Sequence, residues 1–100
     1  MIYSLHPEAV SDLREAAEYY RERAGVAIAQ AFFDDFEHSI GLLLGYPLLG
    51  ALWLHGKRRL VMRHFPYSII YVIAIEEIHV LAVAHQSRRP GYWRNRKQQS

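Results

Sequence analysis

One hundred residues, 51% hydrophobic and 22% charged, fit one compact domain spanning residues 1–100, too short for two cores and too apolar for disorder. No cysteine occurs, which excludes a disulfide framework and a thiolate metal site and suits a cytoplasmic protein. The net charge of +2 is unevenly spread: residues 1–56 set three arginines against eight carboxylates (−5), whereas residues 57–100 set nine Lys and Arg against Glu76 and Glu77 (+7).

That asymmetry makes the second half attractive to phosphate or to an acidic partner, or else leaves two solvated faces that keep the chain soluble. The chain opens without a basic lead and apolar core, and no run has the length of a membrane-spanning helix. A soluble, unexported protein with no membrane partner is expected.

In chain order, residues 2–5 suit an edge strand that stops at His6-Pro7, where proline removes a donor. Pro7 fits the first helical position and Glu8 the positive end of the helix dipole. Val10, Leu13, Ala17, Tyr20 and Ala24 then form a helical stripe, with Asp12, Glu15, Glu22 and Arg23 on the other side. Gly25 is the expected stop. A second helix carries Ala29, Phe32, Phe33, Phe36, Ile40, Leu43 and Leu44 and ends at Gly45-Tyr46-Pro47. So short a link predicts an antiparallel helical hairpin, its aromatic stripe covering a sheet.

Beyond Pro47 the apolar period changes to that of strands. A weak strand is expected at Leu52 to Leu54, and stronger ones at 58–65, 68–75 and 78–85, joined by connections short enough to imply antiparallel neighbours. The run from Ile69 to Ile75 reads as the central strand. The fold class is therefore α+β: a β-α-α-β-β-β order with the hairpin packed on an antiparallel sheet. Pro90-Gly91 should make a turn, and residues 97–100 should fray.

Arg59 and Arg63, four apart, should share a strand face, as should His79 and His85, six apart. With flanking strands on either side of the central one, Arg58, Arg59, Arg63, His85, Arg88 and Tyr92 could converge at one sheet end. The alternative for the arginines is an exposed face that pairs with carboxylates, and for His85 a hydrogen-bonded structural role. The run Arg88-Arg89-Pro90-Gly91-Tyr92-Trp93-Arg94 mixes planar cations with aromatic rings, a composition that clamps phosphates and stacks bases, or anchors the tail through Trp93. The six histidines show no ligand-like spacing with carboxylates, so no metal and no cofactor are expected.

Taken together, His6-Pro7-Glu8-Ala9 before a helix with Tyr19-Tyr20, the Phe32-Phe36 helix closing in Tyr46-Pro47 and Gly50, Arg58-Arg59 running to Phe65-Pro66-Tyr67 and Ile70-Tyr71, and Val83-Ala84-His85 with Arg88 resemble the RelE/ParE superfamily of bacterial toxins, often described as plasmid stabilisation proteins. The likeness covers nearly the whole chain. It implies the toxin of a type II toxin-antitoxin module, bound in a hetero-oligomer by a cognate antitoxin. On this scaffold ParE-like members poison DNA gyrase, whereas RelE-like members cleave mRNA on the ribosome. The scarcity of lysine near the site and the ending His85-Gln86-Ser87-Arg88-Arg89 look more like ParE-type relatives, so gyrase is the expected target. In that case Arg58, Arg59, Arg63, Arg88, Arg89 and Arg94 form a binding surface. If instead the chain is an RNase, Arg59, His85 and Tyr92 are the catalytic set. A third reading is an inactive member that retains only antitoxin binding.

Overall fold

The computed structural model describes residues 1–89 and 91–96. Pro90 and residues 97–100 lie outside the described residues, and with them the expected fraying of the tail and the proline half of the Pro90-Gly91 turn. The elements are β1 (Ile2–Leu5), α1 (Pro7–Ala24), α2 (Val26–Gly45), β2 (Ala51–Leu52), a 3-10 turn at Leu54–Gly56, β3 (Arg58–Val61), β4 (Tyr67–Ala74) and β5 (Glu77–His85).

α1 starts where the sequence places proline, and the cap is a histidine: His6 Nδ1 accepts the Glu8 N–H at 3.1 Å. Gly25, at φ 96°, both ends α1 and begins α2. Its N–H bonds the Arg21 carbonyl and its own carbonyl accepts the Ala29 N–H, and that positive φ is one that glycine adopts without steric cost. One residue therefore folds the two helices into the hairpin.

Among the described residues five strands lie in the order β1-β5-β4-β3-β2, so β4 is central. The sheet is mixed rather than wholly antiparallel: β1 runs parallel to β5, with Ser4 beside His79 and Leu5 beside Val80. Short turns impose antiparallel pairing on β2 to β5, but β1 enters the sheet only after a helical crossover, which leaves its direction free to be parallel. The third strand stops at Val61, earlier than the expected 65, because the chain bends over residues 63–66.

A bulge interrupts the β4–β5 ladder. Ile70 pairs with Ala82 but Tyr71 pairs with Val80, so Leu81 is an extra residue on β5. The inside-outside alternation shifts there, and Val80 and Val83, only three apart, both join the core beneath the helices. His79 and His85 consequently fall on opposite faces, contrary to the expectation from their even spacing.

The helix-side core brings Phe32, Phe36, Ile40 and Leu43 of α2 against Ile69, Tyr71, Ile78 and Val80. The other face of the sheet is covered in part by the C-terminal segment: Trp93, 2% exposed, packs on Ile70, Ala82 and Ala84, with Trp53 and Tyr92 beside it. None of the helices among the described residues is long and apolar enough to cross a membrane.

Candidate functional site

On the face turned away from the helices, β4 and β5 form the floor of a cleft through Ser68, Ile70 and Ala84. Trp53, Arg59, His85, Gln86, Arg88 and Trp93 surround it. Arg59 reaches it because β3 pairs it with Ile70, whose side chain belongs to that face. Its guanidinium lies 3.6 Å from the centre of the Trp53 ring, an attraction between a cation and the electron-rich ring face. The Trp53 N–H in turn donates to the Lys57 carbonyl at 2.6 Å, closing the loop that carries the indole. Arg88 repeats the arrangement at 3.9 Å over the Tyr92 ring, which Arg96 also approaches at 5.0 Å. Trp93 Nε1 is buried without a hydrogen-bond partner.

A second cluster seals the edge of β5. The pairing with β1 ends at Val80, and beyond it the side chains of Asp12 and Arg96 take the part of a strand. Asp12 Oδ2 accepts the Val83 N–H at 3.0 Å and Arg96 Nη1 at 2.8 Å, while Arg96 Nη1 also donates to the Leu81 carbonyl at 3.0 Å. Tyr92 directs its hydroxyl to the same carboxylate at 3.4 Å. Burial, and then the Asp12 charge, push the Tyr92 phenol up to about 12, so it stays protonated near neutrality.

Of the expected site residues, the structure brings Arg59, His85 and Arg88 to the cleft. Tyr92 opens instead onto the adjoining hollow with Asp12, Val83, His85 and Arg88. The proposed catalytic trio thus does not converge on one cavity, although His85 borders both. His85 Nδ1 accepts the Ser87 N–H at 3.0 Å, which leaves the proton of the neutral ring on Nε2. Arg58 is turned to the opposite face of β3, paired with Tyr71, and donates to the Gly50 carbonyl at 2.8 Å. Arg63 lies past the end of β3 in a hollow with Asp34, Asp35, His38 and His64, so it shares no face with Arg59. Arg89 and Arg94 line the outer side of the C-terminal segment with Gly91, Tyr92 and Asn95.

Asp12, expected on the polar side of α1, is buried instead, and neither Trp53 nor Arg96 was among the expected site residues. Asp12 sits three residues after Ala9 and four before Ala16, both buried, so the helical period had the information to place it inward. Arg96 and Trp53 gave no comparable signal. Among the described residues no group of three or more His, Asp or Glu side chains is placed to hold a metal ion.

No curated protein sequence matches the chain significantly. A solved structure described as the chromosomal ParDE TA system from P. aeruginosa resembles it with a TM-score of 0.75 and 22% identity, over 85% of this chain and 95% of that one; at such identity the likeness concerns the fold. Residues 3–90 match the family model of the ParE toxin of type II toxin-antitoxin system, parDE. With the match spanning most of the sequence, the chain belongs to the ParE toxin family.

Proposed function

We propose that this toxin acts in the cytoplasm as a single domain that poisons DNA gyrase by binding it through the basic cleft, and that a cognate antitoxin neutralises it in a hetero-oligomer. The observation that carries the reading is the state of the aromatic rings around the cleft. Trp53 carries Arg59, Tyr92 carries Arg88, and Trp93 is packed into the sheet. Rings so engaged are poor platforms for nucleobases, whereas flat guanidiniums held on aromatic rings suit a protein interface, where Trp, Tyr and Arg dominate binding energy.

RNA cleavage would require a general acid and base placed about one reacting phosphate. Tyr92 is engaged with Asp12, and His85, which borders the cleft, sets its ring against Tyr67 of the helix-side core with 5.0 Å between centroids. The solved ParDE structure, similar in fold, supports the antitoxin as a partner. Purified toxin should inhibit gyrase supercoiling and leave ribosome-bound mRNA intact. Cleaved mRNA with unaffected supercoiling would replace this reading by that of an mRNA endonuclease, and inactivity in both assays by that of a member which only binds antitoxin.

A further inference from the structure

We propose that the cleft between Trp53 and Trp93 is a carboxylate site, which receives an Asp or Glu side chain of a protein partner. The proposal deepens the reading of a protein-binding cleft and rests on it for the partner. Three features of the cleft point the same way.

The first is an unanswered donor. Trp93 is 2% exposed, lines the cleft, and has a buried indole N–H that no protein acceptor meets. Buried N–H groups are nearly always satisfied, so this unmet donor is a polar deficit in a residue of the cleft wall. The second is charge. Arg59 and Arg88 line the cleft and no Asp or Glu does. Among the described residues the ion pairs are Arg21 with Glu18 and Arg96 with Glu8 and Asp12, which leaves both cleft arginines without a carboxylate partner. Two cations over a floor of Ser68, Ile70 and Ala84 set up a field that favours an anion on a methylene stem.

The third is geometry. A guanidinium held over an indole or phenol ring through its carbon still has N–H groups at its rim, and that planar fork matches the two oxygens of a carboxylate. A phosphate of RNA or DNA would satisfy the charge as well. Its attached base, however, would meet the aromatic rings already described as occupied by arginine or by the core. The observations therefore favour an acidic side chain over a nucleotide.

The sequence holds two tryptophans, so the 15N-labelled protein gives two indole N–H signals, assigned with a Trp53→Phe variant. The probes are Nα-acetylglutamate amide, its glutamine counterpart, inorganic phosphate and AMP. The glutamate probe should move the Trp93 indole signal saturably, and the glutamine counterpart should not. Arg59→Gln should weaken the apparent dissociation constant by about tenfold, as for loss of one hydrogen bond to a charged group. Arg88→Gln provides a second variant if Arg59→Gln perturbs folding. Absence of a saturable shift with the glutamate probe would overturn the proposal and assign the indole N–H to water. Tighter binding of phosphate or AMP would overturn it in favour of a nucleic-acid phosphate. Gyrase supercoiling is read separately, so failure of the gyrase assignment with an intact glutamate response would leave the carboxylate site standing.

Discussion

Replacing Asp12 by alanine removes the side chain that seals the β5 edge. Its Oδ2 accepts from Val83 N–H, Arg96 and Tyr92, and the side chains of Asp12 and Arg96 are only 8% and 10% exposed. Breaking a buried ion pair by deleting one member costs about 3–5 kcal/mol, and a buried N–H left without an acceptor roughly 1–3 kcal/mol. The two losses overlap, and Arg96 keeps Glu8 at 3.2 Å, so about 3 kcal/mol is the net expectation. For a domain of this size each kcal/mol moves Tm by roughly 4–8 °C, which puts the shift at about 12–24 °C. Asp12→Asn retains an oxygen for Val83 and should lose about half as much. Urea denaturation followed by circular dichroism measures both variants. A loss below about 1 kcal/mol for Asp12→Ala would refute the idea that this pair substitutes for a strand.

Gly50→Ala should destabilise the fold by roughly 1–3 kcal/mol, because an added Cβ would sit 2.6 Å from the Tyr71 hydroxyl and 2.9 Å from the Arg59 carbonyl. A thermal melt matching wild type would show that the loop adjusts. Phe36→Ala, at 4% exposure on the helix-side core, should cost about 3–5 kcal/mol in the same denaturation assay; an exposed side chain would lose under about 1 kcal/mol. His79 is held below the usual histidine range, chiefly by burial and also by His6, with Glu77 opposing. The unfolded chain therefore takes up a proton that the fold resists, and stability should fall as pH drops below about 6.5. Denaturation midpoints across pH 5–7.5 should flatten in His79→Gln, and an unchanged slope would remove His79 as the cause.

The helical hairpin and the strand identities were legible because their signals are local: Pro7 and Gly25 punctuate the helices, and Phe32 and Phe36 of α2 have one partner to cover, although Phe33, expected beside them, is exposed. The helix-distal site was legible only in part. Two facts that decide it are long-range. The bulge at Leu81 places His79 and His85 on different faces, and nothing in the apolar run Val80-Leu81-Ala82-Val83-Ala84 marks it. The early end of β3 removes Arg63 from Arg59, and the sequence run Leu60-Val61-Met62 gives no stop before the bend. Arg58 and Arg59 illustrate the limit of composition, since adjacent strand residues face opposite ways and only one can join the cleft. Trp93 as an anchor was visible as an alternative, but its pairing with a cleft needed the folded tail.

The most direct test of the central claim, that the cleft binds a protein target and does not catalyse, is supercoiling inhibition by the Arg59→Gln, Arg88→Gln and His85→Ala variants. Each variant is first checked for native circular dichroism. The account predicts graded losses for the arginine variants, on the order of tenfold each, and a smaller loss for His85→Ala. If His85→Ala instead abolished toxicity by a factor of about 10² or more while target binding persisted, the cleft would be a catalytic site and the account would be contradicted.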